Sequence, residues 1–151
     1  MRITKPSLRD VRAMQELTRP EVERGIILER SSDEIANAIR SYLVAKEGEK
    51  IIGFCALHIH SETLAEIRSL VVAQTHRDKG VGRAIVEEAI GEALQYGVSE
   101  VLVLTYRRSF FEKFGFIEVS KELIPDHKIW ADCIKCKHFP LCDEIALIKK
   151  L

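Results

Sequence analysis

The chain has 151 residues, 46% of them hydrophobic, which suffices for one compact domain over residues 1–151 and is too short for two ordinary domains. Lysine plus arginine and aspartate plus glutamate number 23 each, so the charge balance favours neither nucleic acid nor an anionic membrane surface as a partner. The N-terminus lacks an apolar signal core and no apolar run approaches the ~20 residues that span a bilayer, so we expect a soluble, cytoplasmic protein.

Two helices are predicted in the first third of the chain. Ser7 is a candidate cap for the first, and Ser32 or Asp33 for the second, because apolar residues follow each at helical spacing. The segment between them, "VERGIILER", is typical of a loop or short extended stretch and carries Arg30. After the second helix, "SYLVAKEG" favours an extended conformation.

The middle and end of the chain alternate strand and helix patterns. The runs "EKIIGFCALHIH" and "TLAEIRSLVVAQ" predict an antiparallel pair, and an amphipathic helix follows that Gly97 is placed to end. Beyond it come the strand "SEVLVLT", a short helix closing at Gly115, an irregular cysteine-rich loop and a last strand "EIALIKKL". This order predicts an α/β layer built on a mixed sheet.

The segment "RDKGVG" places two glycines, Gly80 and Gly82, between a strand and a helix. Unpaired N–H groups at a helix start bind phosphate readily, and glycine lets an anion approach the backbone. Arg77 and Lys79 add positive charge. The alternative is that the two glycines only make a tight connection between the strand and the helix. A nucleoside triphosphate loop is excluded because no Gly-Lys-Ser/Thr follows, and Ile85 replaces the last glycine of a dinucleotide motif.

The wider pattern, Gln/Arg-x-x-Gly-x-Gly/Ala between a strand and a helix, resembles the acetyl-CoA pyrophosphate loop of GNAT-type N-acetyltransferases. The string "FFEKFGF" resembles the Phe-Tyr-x-x-x-Gly-Phe element of that family. The resemblance implies the GNAT fold, a mixed and mostly antiparallel sheet flanked by helices, with acetyl-CoA as co-substrate in a wedge between the fourth and fifth strands. It also implies that the cofactor contacts Leu70, Val71, Val72, Arg77, Asp78, Lys79, Gly80, Val81, Gly82, Arg83 and Phe111.

Five strings, "GIILERS", "EIRSLVV", "FFEKFGF", "KIWADCIKC" and "CDEIALI", are similar to the acetyltransferase domain of N-acetylglutamate synthases, in a short stand-alone form without the kinase-like domain. This similarity implies a small-molecule acceptor, the α-amino group of L-glutamate. The alternatives are another small amine, a protein N-terminus, or a non-catalytic module that binds acetyl-CoA. The sequence leaves a homodimer open.

The resemblance also implies catalytic residues. Glu66 precedes Gly80 by fourteen residues within "AEI", the spacing at which the histone-acetylating branch places its general base, so Glu66 is the candidate base, direct or through water. The alternative is a surface carboxylate on a strand. Phe111 stands where many members have a proton-donating tyrosine; Tyr106 is the candidate substitute, unless the thiolate leaves unassisted.

The two carboxylates of glutamate suit the planar fork of arginine. The candidate acceptor-binding arginines are Arg30, Arg68, and Arg107 or Arg108 after the fifth strand, and Cys55 is a further candidate. Arg30 is the first choice because the loop between the opening helices commonly forms the acceptor wall in this family. Any one arginine can equally be a solvated surface charge.

The cysteine-rich loop carries the ligand types of a structural zinc site, in Cys133, Cys136, His138 and Cys142. Their spacing is compressed, and a single short loop would have to supply every ligand. The alternative is that these side chains pack against neighbouring aromatic residues. We therefore expect no metal, and a loop that serves as a lid or wall beside the acceptor. Without export signals, the cysteines also argue against a disulfide framework.

Overall fold

A computed structural model describes residues 1–125 and 144–151. Most of the cysteine-rich loop lies outside the described residues, including the four residues with zinc-ligand chemistry, Cys133, Cys136, His138 and Cys142. The helices are α1 (Val11–Glu23), α2 (Ser32–Asn37), α3 (Val81–Tyr96) and α4 (Arg108–Glu112). The strands are β1 (Arg2–Thr4), β2 (Tyr42–Glu47), β3 (Lys50–Ile59), β4 (Leu64–Val72), β5 (Glu100–Thr105), β6 (Ile117–Val119) and β7 (Ile145–Lys150).

The strands form a seven-stranded sheet in the order β1-β2-β3-β4-β5-β7-β6. Neighbouring strands are antiparallel except β4 and β5, which are parallel. The predicted mixed, mostly antiparallel sheet flanked by helices is therefore confirmed. The sequence patterns predict neither β1 nor β6, because each is a three-residue edge strand and too short for an alternation of apolar residues to show.

The helix starts follow capping chemistry, with one difference from the prediction. Ser31, rather than Ser32 or Asp33, caps α2: its hydroxyl accepts the Glu34 N–H at 3.1 Å, and the Glu34 carboxylate accepts the Ser31 N–H at 3.2 Å. This reciprocal capping box satisfies two otherwise unpaired donors. Ser7 precedes a 3-10 turn that leads into α1, as its position in the sequence predicts. Gly97 ends α3 in the left-handed conformation at φ 86°.

Helices cover both faces of the sheet. The apolar side of α3 packs on one face, with Ile85 and Ala89 fully buried. On the other face α1 and α2 pack against β2 and β3, and Met14 is fully buried there. Gly53 of β3 lets α3 approach closely, since a Cβ at this position would lie 3.0 Å from Cδ1 of Ile85. None of the helices in residues 1–125 and 144–151 has the length and hydropathy to cross a membrane.

Two irregularities of β4 open the sheet. A β-bulge leaves Ser69 and Leu70 opposite a single residue of β3, and Ser69 takes φ 57°. The pairing of β4 with β5 extends only from Leu64 to Glu66 in the described residues, although β4 continues to Val72. The two parallel strands therefore part beyond Glu66, as the resemblance implies, and leave a wedge at the carboxyl end of β4.

Candidate active site

A cleft of about 920 Å³ occupies this wedge. One wall is the end of β4, from Leu70 to Val72, and the other is the segment that follows β5, including Tyr106, Arg107 and Phe110. The segment 77–80, called the glycine loop below, and the start of α3 close one end of the cleft, and the end of α1 lies beside it. The structure thus brings together the predicted cofactor residues of β4 and of the glycine loop, except Lys79, with Tyr106 and Arg107 after β5.

The loop presents the first turn of α3 to the cleft. Asp78 and Gly80 both have positive φ, at 61° and 82°, and Gly80 is the N-cap residue. Within the described residues no side chain caps this helix, and its first helical bond runs from the Ala84 N–H to the Gly80 carbonyl at 3.1 Å. The N–H groups of residues 81–83 therefore have no intrahelical partner and are available to an anion.

Gly82 lies where the loop meets both walls. A Cβ at this position would be 3.6 Å from Cζ of Phe110 and 3.6 Å from Cγ2 of Val72, an ordinary contact distance. Any longer side chain would extend from that point into the cleft. The absence of a side chain at Gly82 therefore keeps the cleft open beside the free N–H groups.

Positive side chains predominate around the cleft. Arg107 lies over the ring of Phe110, with its guanidinium carbon 4.8 Å from the ring centroid. Arg83 pairs with Glu87 at 3.0 Å on an exposed face of α3. The basic side chains of the cleft lining are Arg24, His76, Arg77, Arg83, Arg107 and Lys113, and its acidic side chains are Glu21 and Asp78. This charge distribution suits a ligand with several phosphate groups.

Glu66 occupies the point where β4 and β5 part. It is the last residue of β4 paired with β5, it is 1% exposed, and its Oε1 lies 2.8 Å from Nε2 of His60, whose ring is also buried. The alternative of a surface carboxylate is wrong, because the Glu66 side chain is buried. A buried carboxylate requires a partner, which this imidazole supplies. Arg68 follows two positions later and shares the sheet face of Glu66.

Two predicted residues lie in the core rather than in the cleft. Cys55 is fully buried in the cluster under α3, and burial raises the pKa of its thiol to about 12. It faces away from Arg68, so we leave it out of the proposed acceptor site, and the protonated thiol is a poor nucleophile at neutral pH. Phe111 is 3% exposed, packed edge-to-face on Phe116. The neighbouring residue Phe110, rather than Phe111, lines the cleft.

Arg30 lies in the segment between α1 and α2, where the amide of Gln15 donates to the Arg30 carbonyl at 3.3 Å. Its side chain, like that of Arg68, is partly buried. Tyr106 and Arg107 line the cleft directly. Sequence reasoning missed three contributors, Glu21, His60 and Phe110. Their residue types carry no motif. The packing of α1 and α4 brings Glu21 and Phe110 to the cleft, and the pairing of β3 with β4 brings His60, which follows β3, to Glu66.

The family assignment rests on a match over most of the chain. The sequence profile of the acetyltransferase (GNAT) family matches residues 9–116, a range that contains the parted strands, the glycine loop and Tyr106. This chain belongs to the GNAT family of acetyltransferases. The GNAT fold and the N-acetyltransferase class predicted from the sequence are thereby confirmed, and acetyl-CoA as co-substrate agrees with both.

Two relatives of this acetyltransferase differ in how much of their own length it covers. It is 42% identical over 144 residues to an uncharacterized N-acetyltransferase of Chlorobaculum tepidum, covering 95% of this chain and 92% of that one. It is 27% identical over 128 residues to the amino-acid acetyltransferase of Escherichia coli, covering 83% of this chain and 29% of that protein. The chain therefore spans less than a third of the amino-acid acetyltransferase that it matches.

Solved structures share the fold of this acetyltransferase. N-acetylglutamate synthase from Neisseria gonorrhoeae, complexed with coenzyme A and N-acetyl-glutamate, superposes with a TM-score of 0.89 at 23% identity, over 99% of this chain and 35% of that one. A Mycobacterium tuberculosis protein in complex with CoA superposes with a TM-score of 0.84 at 22% identity, over 100% and 99% of the two chains. At these identities the likeness shows the fold alone.

Proposed function

We propose that this acetyltransferase transfers the acetyl group of acetyl-CoA to the α-amino group of L-glutamate, the first step of arginine biosynthesis. Binding of the coenzyme is supported by one observation: the unpaired N–H groups in the first turn of α3 lie at a cleft between the parted strands β4 and β5. The glutamate part is supported by the synthase-like strings in the sequence and by the amino-acid acetyltransferases among the relatives. It is also supported by Arg107 in the cleft lining and by Arg68, which lies just beyond the point where β4 and β5 part.

The proposed reaction is a direct transfer. The amine nitrogen attacks the thioester carbonyl carbon, the C–S bond breaks, and the amine proton must leave. Because the Glu66 carboxylate is buried and bonded to His60, we assign it the role of a base that takes this proton through a water molecule. Tyr106 lines the cleft and is the proposed donor of a proton to the departing thiolate.

An acceptor screen tests this proposal. Purified protein is incubated with acetyl-CoA and each free amino acid in turn, together with small polyamines and peptide N-termini, and the released thiol is measured. We expect glutamate to give the highest kcat/KM. A higher value for another amine would refute the glutamate assignment. Coenzyme binding without thiol release for any of the acceptors would favour the non-catalytic module that the missing tyrosine at Phe111 suggests.

Tyr106→Phe is expected to lower kcat by about 100-fold without changing coenzyme A affinity, because general acid assistance to a leaving group contributes on the order of 10²-fold or more. The measurement is steady-state kinetics at saturating acetyl-CoA. Tyr96→Phe, on the exposed surface of α3, is the matched control and should behave like the parent. An unchanged kcat in Tyr106→Phe would mean that the thiolate leaves unassisted.

Arg30→Ala is expected to weaken glutamate use strongly. Loss of one charge-assisted, largely desolvated contact costs on the order of 2 to 5 kcal/mol in transition-state binding, which appears as a lower kcat/KM for glutamate at constant coenzyme affinity. Arg40→Ala, an exposed arginine just after α2, is the control. Glutamate kinetics identical to those of the parent would remove Arg30 from the acceptor site and direct attention to Arg68.

A further inference from the structure

The glycine loop is fastened to two other elements by one arginine. Arg77 donates from Nη2 to Oε1 of Glu21 at 2.7 Å and from Nε to the carbonyl oxygen of Val72 at 3.3 Å. Glu21 lies in the last turn of α1 and is 8% exposed. The Arg77 guanidinium therefore joins the loop to the end of β4 and to α1, and all three residues line the cleft.

Glu21 also fixes the chain on the other side of the cleft. Its main-chain carbonyl accepts the N–H groups of Ile26 and Ile27 at 2.9 and 3.4 Å. These residues begin the segment that leads to Arg30. Glu21 thus holds the glycine loop through its side chain and the segment that leads to Arg30 through its backbone carbonyl.

We propose that Arg77 and Glu21 are positioning residues for the coenzyme, and that Arg77 holds the loop in place rather than donating its charge to a phosphate. A carboxylate 2.7 Å away offsets the guanidinium charge and orients its planar fork. The N–H groups of residues 81–83 are left to bind the pyrophosphate, and their direction depends on where the loop is fastened. This inference rests on the proposed coenzyme site.

The test is a double-mutant cycle on coenzyme A affinity, measured by calorimetric titration of the full chain. Arg77→Met and Glu21→Leu each break the Glu21–Arg77 pair, and we expect each to weaken binding by about tenfold. Both changes remove the Glu21–Arg77 contact, and Glu21→Leu also removes the 3.8 Å pair between Arg24 and the same carboxylate oxygen. If the contact with Arg77 carries the effect, the double variant should bind about as weakly as either single variant. Glu21→Gln should retain near-parental affinity, since its amide oxygen still accepts from Arg77.

Glu16→Leu is the matched control, because Glu16 accepts from Arg19 at 2.7 Å on the same helix, with both side chains exposed and outside the cleft lining. It should leave coenzyme affinity unchanged. The free energy of unfolding in urea is measured for every variant: a merely structural role would lower that free energy and leave the dissociation constant of the folded protein unaltered, which would contradict the proposal.

Four further results would overturn it. If the losses in the double variant multiply, Arg77 and Glu21 act independently and Arg77 is a direct phosphate ligand. If Glu21→Gln binds coenzyme A more tightly than the parent, Glu21 acts as an opposing charge rather than as an anchor. If the parent itself fails to bind coenzyme A, the proposed function fails and this inference with it, whereas parental affinity in every variant contradicts the inference alone.

Discussion

Gly82→Leu is expected to weaken coenzyme A binding by about 100-fold or more while the fold stays intact. A Cβ at this position already contacts Phe110 and Val72 at 3.6 Å, so the remaining atoms of leucine would project into the cleft and keep the pyrophosphate from the N–H groups of α3. Losing about two hydrogen bonds to a charged group costs ~3 kcal/mol or more, which corresponds to about 100-fold in affinity.

Calorimetric titration with coenzyme A measures this effect, and the same helix supplies its control. Gly91→Leu also replaces a glycine within α3, with nothing within 4 Å of the added Cβ, and should bind like the parent. Both substitutions raise helix propensity, so neither should lower the free energy of unfolding. Gly80 is a poorer test because its φ of 82° strains any other residue. Parental affinity in Gly82→Leu would refute the loop assignment.

Glu66→Gln is expected to lower kcat by about 10²- to 10⁴-fold, the contribution typical of a general base, with coenzyme A affinity unchanged. Glutamine has nearly the shape of glutamate and can still hydrogen-bond His60, so the buried position keeps a partner while the proton acceptor is lost. Single-turnover kinetics with acetyl-CoA and glutamate measure the chemical step apart from binding and product release.

The control for this variant is Glu62→Gln, which removes an exposed carboxylate from the turn between β3 and β4 and should retain parental kcat. An unfolding transition at the parental urea concentration would show that Glu66→Gln is folded. Should its kcat equal that of the parent, Glu66 serves only the structural pair with His60, and the base must be sought elsewhere or in bulk water.

The sequence by itself determined the elements whose signals are local. The long apolar runs of β3, β4, β5 and β7 and the apolar stripe of α3 recur at strand and helix periods. Gly80 and Gly97 stand where the backbone takes positive φ. The motif "RDKGVG" combined with its flanking strand and helix identified the family, because the binding of a pyrophosphate depends on backbone groups that a short segment already carries.

Only the tertiary structure decided which side chains face the cleft. Phe110 and Phe111 are adjacent and chemically alike, and the docking of α4 turns the first toward the cleft and the second into the core. Cys55 and Arg68 lie on opposite faces because the register pairs Arg68 with Ala56, the neighbour of Cys55 on β3, and successive residues of a strand face opposite ways. Glu21 approaches Arg77 across 56 positions of sequence. Such contacts depend on packing between distant segments, which no local pattern encodes.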